Sequence, residues 1–146
     1  MIKDRAEGAP NGRVLEILRG AGLKPTRQRL ALGEILFAGE HRHVSCESLF
    51  DEARAAGAAL SLATVYNTLH QFRDAGLLRE VHLDAERRWF DTNVDDHHHF
   101  YVEDTGALMD IPADSVEIAA LPAPPRGFAV EGVDVVVRVR AKANKR

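Results

Sequence analysis

The spacing of apolar residues changes once along this chain, and the change divides it. Between residues 13 and 76 they recur every three or four positions, the period of an α-helix. Val14, Leu15, Ile17 and Leu18 predict a helix over 13–19 that "GAGL" at 20–23 ends. Leu30, Leu32, Ile35, Leu36 and Phe37 predict a second, with Thr26 as N-cap and Gly39 as its stop. Leu49, Phe50 and Ala53 mark a third, opened by Ser45 and finished near Gly57. "LATVYNTLHQFRDAG" marks a fourth, from a Ser61 cap to Gly76.

Beyond Gly76 the runs become short and β-rich. "LLREVHL" and "RRWFDT", separated by "DAE" at 84–86, read as one hairpin, and "HHFYVE" and "ALMDI" around "DTG" as another. Pro112 is expected to begin a helix through about Ala120. "LPAPPRG" reads as a loop, and "GFAVEGVDVVVRVRA" ends in a β-branched strand. The order predicts an α+β chain. A winged helix (helix-turn-helix plus β-hairpin wing) would occupy 1–90, and a small α/β domain 91–146.

Composition narrows the class only a little. The 146 residues are 45% hydrophobic and 28% charged, as in ordinary globular proteins of one or two small domains. A single cysteine, Cys46, permits no intramolecular disulfide and favours an intracellular setting. Apolar runs fall far short of the roughly 20 residues of a membrane span, and the N-terminal residues lack the apolar stretch of a signal peptide. A cytoplasmic chain without membrane association is the expectation. The net charge of −3 gives no support for nucleic-acid binding, so any such argument must be local. Charge is also uneven. Residues 83–125 hold ten Asp/Glu against two Lys/Arg, which surrounds His97, His98 and His99 with oxygen donors.

Two stretches carry candidate chemistry. In the fourth helix, Leu62, Val65, Leu69 and Phe72 form the stripe expected to be buried. The other faces hold Thr64, Tyr66, Asn67, Thr68, His70 and Gln71. Neutral hydrogen-bonding and aromatic groups suit base edges and thymine methyls better than they suit a plain solvated face. Lys24, Arg27, Arg29 and Arg73 are the candidates for phosphate contact. A generic helical bundle with a polar exposed face would share this pattern. In the second stretch, strand alternation puts His97 and His99 on one face, near Asp91 and Asp110, and Asp96 and His98 on the other. A mixed His/carboxylate set suits Fe²⁺, Mn²⁺ or Zn²⁺, while an exposed strand whose histidines titrate near neutrality is the plainer alternative. The set Asp91, His97, His99 and Asp110 could also serve a metal-dependent hydrolase, but no separate nucleophile–base pair accompanies it.

"LKPTRQRLALGEIL", "HVSCESLFDEA", "SLATVYNTLHQFRDAGLL", "RRWFDT" and "DDHHHFYVEDTGALMDIP" together resemble the ferric uptake regulator (Fur) superfamily. They look most like its haem-responsive iron response regulator (Irr) branch, over roughly residues 14–138. "LATVYNTL" and "FDT…DHHHF" are the specific parts. The resemblance implies a winged helix followed by an α/β dimerisation domain, a homodimer or higher oligomer on a double-stranded DNA operator. It implies a transcription regulator, mainly a repressor, of iron and haem homeostasis, and not an enzyme. A Fur-type sensor of peroxide, manganese or zinc without haem response is the alternative.

Carried over residue by residue, the family's regulatory metal site falls on His43, Asp91, His97, His99 and Asp110. Its second site, where metal or haem could bind, falls on Asp96, His98 and Glu117. The second site's usual histidine on the last long strand is missing, with Val133 or Asp134 nearby. The family's base-contacting tyrosine corresponds to Tyr66 and its minor-groove lysine to Lys24. Asn67 stands where many Fur proteins have arginine, which implies a different operator preference. Val102 and Thr105 replace the first CxxC pair, so a Cys₄ structural zinc is excluded. Cys46 is followed by Glu47 and not by the proline of the Cys-Pro haem motif, which leaves it as a small packing residue.

Overall fold

The computed structural model describes residues 12–83 and 88–143, in one compact unit that runs to Val94 and a second from Asp95 onward. In the first unit, α1 covers residues 12–20, α2 Arg27–Phe37, α3 Cys46–Ala55 and α4 Leu62–Asp74. Each start from α2 onward has its own side-chain cap. Thr26 accepts from the Arg29 N–H, and Ser61 from that of Thr64. Ser45 and Ser48 form a reciprocal capping box. Each satisfies a backbone donor that the helix leaves without a partner. Gly57 and Gly76, at φ of +88° and +84°, supply the left-handed residue that turns the chain away from α3 and α4.

The core of this unit is the contact of the four helices with the strands beside them. Val14, Leu18, Leu32, Leu36, Val44, Leu49, Ala53, Val65, Leu69, Phe72, Leu78 and Phe90 form one buried cluster. Each large member contributes about 1.5–3 kcal/mol of transfer free energy. Gly33 lets α1 and α2 approach closely: a Cβ there would lie 2.7 Å from Val14 Cγ1.

On α4 the buried residues are Val65, Thr68, Leu69 and Phe72, which removes Leu62 from the expected stripe and adds Thr68. Leu62 is 45% exposed because it opens the helix ahead of the packed turns. Thr68, expected on the surface, completes the i, i+3, i+4, i+7 set. Its hydroxyl is satisfied inside by donating to the Thr64 carbonyl, 2.8 Å away.

Strands β2 (Arg79–His82) and β3 (Arg88–Asp91) form the antiparallel wing; the expected turn at 84–86 lies outside the described residues. A strand that periodicity did not reveal, β1 (His43–Val44), pairs antiparallel with the other edge of β3, giving the order β1-β3-β2.

The second unit is a three-stranded sheet. β4 (His97–Val102) and β5 (Ala107–Pro112) form the expected hairpin, and β6 (Val136–Val139) lies parallel to β4 on its other side. The helix expected from Pro112 to Ala120 is not there. A 3₁₀ turn at Ala113–Ser115 is followed by residues 116–135 without helix or strand. Eight or so residues with β-branched Val116 and Ile118 have little intrinsic helicity, and a helix that short needs a buried face to hold it. Ile118 is exposed and no such face covers it.

Candidate metal centre and nucleic-acid face

Among the described residues, two sets of donors stand out, one in each unit. In the first unit, sheet register sets His43 on β1 opposite Asp91 on β3. His43 Nε2 lies 3.1 Å from Asp91 Oδ2, and the fully buried carboxylate accepts from the Asn93 N–H through Oδ1 at 2.9 Å. The pairing continues past the strand ends. The Thr92 N–H donates to the Arg42 carbonyl at 3.1 Å, and the Arg42 N–H to Thr92 Oγ1 at 2.9 Å. Arg42 in turn forks onto both oxygens of Glu52, which ties β1 to α3. A two-residue strand is thereby held firmly enough to aim one imidazole.

In the second unit, His97 and His99 lie on the same face of β4, and register places Asp110 of β5 opposite His99. The two rings are 4.6 Å apart, and both Nε2 atoms lie 3.5 Å from Asp110 Oδ1. His97 Nδ1 is 2.6 Å from the Asp95 carbonyl and donates to it, since a carbonyl can only accept. That bond leaves the Nε2 lone pair directed at Asp110, the tautomer that a metal ligand needs. Separations of 3.5 Å are long for a hydrogen bond. They suit ligand atoms around a shared ion: two donors about 2.1 Å from a tetrahedral cation lie about 3.4 Å apart. Imidazole nitrogen with carboxylate oxygen, and no thiolate, fits Fe²⁺, Mn²⁺ or Zn²⁺. In each unit, then, the residues present fit a divalent metal.

Asp96, His98 and Glu117 are arranged differently. Asp96 and Glu117 are exposed, and among the described residues these three do not gather donor atoms. His98 is buried, and its Nδ1 accepts from the Val135 N–H at 3.0 Å, at the start of the β4–β6 pairing. The neutral ring therefore carries its proton on Nε2, which leaves neither nitrogen with an available lone pair.

The other candidate residues sit around α4. Tyr66 and Asn67 are exposed, and Thr64 is partly buried beside its Ser61 cap. Lys24 and Arg27 are exposed, and among the described residues no ion pair or hydrogen bond engages either side chain, which suits phosphate contact. Arg29 and Arg73 are employed inside the unit. Arg29 donates Nε and Nη2 to Gln71 Oε1, at 3.2 and 3.0 Å, and Nη1 to the Lys24 carbonyl at 2.8 Å, which cross-links α2 to α4. Arg73 pairs with Glu80 at 2.6 Å and with Asp74 at 2.9 Å. Burial would raise the Glu80 carboxyl, but Arg73, with smaller help from His82 and His70, outweighs it and holds the group below its ordinary value.

Tyr66 and Asn67 also border a cavity of about 500 Å³ shared with Cys46, Leu62, Arg88 and Phe90. Burial, then the Glu47 charge, pushes the Cys46 thiol up, so it remains protonated at neutral pH. Thr92 and Arg42 were not singled out from sequence, and Gln71, read there as a group for base edges, instead accepts from Arg29. They act through backbone register and through an α2–α4 contact, and neither leaves a periodic trace.

Comparison with known proteins agrees with the architecture. The profile of the Ferric uptake regulator family matches residues 20–138. The ferric uptake regulation protein of Vibrio cholerae serotype O1 is 35% identical over 103 residues, 70% of this chain and 69% of that protein. Its counterpart in Escherichia coli strain K12 is 36% identical over 101 residues, 68% of each. The solved structure of a ferric uptake regulator from Pseudomonas aeruginosa with manganese superposes with a TM-score of 0.67. It shares 32% identity, covering 88% of this chain and 97% of that one.

A winged helix that presents polar residues on α4, joined in sequence to a sheet with metal donors, defines a DNA-binding, metal-responsive regulator. The chain belongs to the ferric uptake regulator family, whose members are transcription regulators and not enzymes.

Proposed function

We propose that this chain acts as a homodimeric repressor in the cytoplasm, binds an operator in double-stranded DNA, and is switched by one divalent metal held by His43, Asp91, His97, His99 and Asp110. The observation that carries this reading is the paired donor geometry: a carboxylate–imidazole pair in one unit and a His–His–carboxylate set in the other. When bound, a divalent ion would supply the positive charge that these imidazole and carboxylate donors would share. The chain's own residues do the rest. Asp95 fixes the tautomer of His97, and Asn93 fixes the rotamer of Asp91. Tethering His43 through β1 and β3 would restrict the winged helix relative to the sheet, and so set the distance between two recognition helices in a dimer. Tyr66, Asn67 and Thr64 would read base edges, with Lys24 in the minor groove and Arg27 on phosphate. Arg29 acts from within, by bracing α4.

The test is operator binding by the full chain, with DNA selected from a random pool, measured with and without Mn²⁺ at one stated salt concentration. Metal is expected to strengthen binding by about 5–150-fold, the usual span of allosteric coupling. The His97→Ala/His99→Ala variant is expected to remain at the metal-free level. Equal affinity of all three samples would sink the metal switch. Repeating the titration with Fe²⁺, Zn²⁺ and peroxide separates an iron regulator from a manganese, zinc or peroxide sensor.

The finer reading, haem sensing in the manner of the iron response regulator branch, places haem on His98, the buried member of the set Asp96, His98 and Glu117 that the family resemblance implies. Ligation there requires His98 to move its Nε2 proton or release Val135. A haem titration followed by Soret absorbance tests this reading, which fails if His98→Ala gives the wild-type spectrum.

A further inference from the structure

One aromatic contact on α4 is left over from the metal switch. His70 lies one turn after Tyr66, on the same face of the helix. The two ring centroids are 4.2 Å apart with the planes tilted by 49°. On its other side, His70 meets Phe90 of the wing edge-on at 5.6 Å and 78°. Phe90 is itself buried in the core. A continuous aromatic column thus runs from the core, through His70, to a tyrosine that is 45% exposed. His70 Nε2 is shut off from solvent and has no hydrogen-bond partner among the described residues. An imidazole in such a place is employed for its ring.

We propose that His70 is a positioning residue that holds the Tyr66 ring upright for base contact, and that it does so only as the neutral imidazole. This rests on the reading of Tyr66 as a base reader. Tyrosine has two side-chain torsions to fix before it can pack on a thymine methyl. A stacked neighbour fixes them before DNA arrives, so that less ordering is left for binding to offset. An imidazolium would need solvent or an acceptor at Nε2 and would find neither.

The groups around it oppose the charged form. Burial lowers the His70 pKa, and Arg73 on α4 and Arg88 on β3 lower it further, against the opposing influence of Glu80 on β2 and Asp74 on α4. A histidine with a lowered folded-state pKa stays neutral at physiological pH. Its contribution is present above the unfolded-state value and is lost as pH falls through the folded one.

The experiment compares the full metal-loaded chain with His70→Phe, His70→Gln, His70→Ala and Tyr66→Ala. Each is bound to the operator containing thymine and to the same operator containing uracil, which lacks the 5-methyl group. His70→Phe keeps the ring and is expected to behave as wild type at pH 7.5 (roughly neutral conditions). His70→Gln and His70→Ala are expected to bind the thymine operator about 3–10-fold more weakly and to lose thymine-over-uracil preference, as Tyr66→Ala does. As pH falls below the ordinary histidine value of about 6.5 and through the lowered folded-state value, wild-type affinity is expected to fall more steeply than that of His70→Phe. Both proteins keep the same metal ligands, so the difference belongs to His70. Full thymine preference in His70→Ala, with that preference lost in Tyr66→Ala, would overturn the positioning role. If Tyr66→Ala itself retained affinity and preference, the base-reading assignment would fall instead, and the positioning role with it.

Discussion

The Arg73–Glu80 pair shows how one residue can be drawn away from the task its position advertises. Arg73 stands at the end of α4 with a charge suited to phosphate, yet its guanidinium is spent on a carboxylate whose side chain is only 7% exposed. Arg73 itself remains 32% exposed, so solvent screens part of the attraction. Replacing it by methionine keeps the packing stem and, among the described residues, leaves Glu80 with the weaker partners His82 and Arg88. A loss of about 1–2 kcal/mol in urea unfolding at pH 7 is expected. The sign with pH follows from the depressed Glu80 pKa: its contribution is present above the unfolded carboxylate value, about 4.3, and disappears as pH falls through the lower folded value. The two proteins should therefore converge in stability at acid pH, and a pH-independent gap would refute the electrostatic account. Arg29, committed to Gln71 and the Lys24 carbonyl, follows the same logic. Among the basic residues considered, Lys24 and Arg27 are the ones left facing solvent.

Elements are where local chemistry decides most. Gly33 sits in the middle of α2, where alanine would ordinarily favour the helix by about 1 kcal/mol. Here the added Cβ would come within 2.7 Å of Val14, which is completely buried. Gly33→Ala is expected to destabilise the chain by about 1–3 kcal/mol, and Val14→Ala in the same chain should return part of that loss, a coupling that a double-mutant cycle measures. A Gly33→Ala protein as stable as wild type would mean that α1 shifts freely on α2. The helices and their caps were legible because Thr26, Ser45 and Ser61 each stand just before an apolar stripe. The β4–β5 hairpin was legible from its alternation, which also paired His97 with His99. Strand β1 was not, because two residues define no period, and so the alignment of His43 with Asp91 could not be read from pattern. The parallel β4–β6 pairing was equally hidden, since it depends on a return across more than thirty residues. The helix expected after Pro112 fails for a related reason: caps and turns are local, whereas a short helix depends on what covers it.

For the whole molecule, the apolar surface of the second unit raises the largest question. Met109, Ile118, Leu121, Phe128 and Val130 are between 41% and 72% exposed, with Phe128 at the upper end. A single chain rarely leaves so many large apolar groups in water unless another surface covers them. A second copy is the occupant that the regulator reading requires, because two recognition helices bound to one operator gain from linkage. The second contact becomes intramolecular, which raises overall affinity by about 10²–10⁴-fold. Phe128→Glu combined with Leu121→Glu places two charges on that surface and changes neither α4 nor any proposed metal ligand. In analytical ultracentrifugation the wild-type chain is expected to sediment as a dimer and the double variant as a monomer. Its circular dichroism should be unchanged, and its operator affinity should fall by about 10²-fold or more. Metal affinity at the His97/His99 set should survive, since those donors lie within one chain. A variant that stayed dimeric would place the dimer contact elsewhere. One that became monomeric yet kept full operator affinity would show that a single winged helix suffices, and the spacing of two recognition helices could then not be what the metal controls.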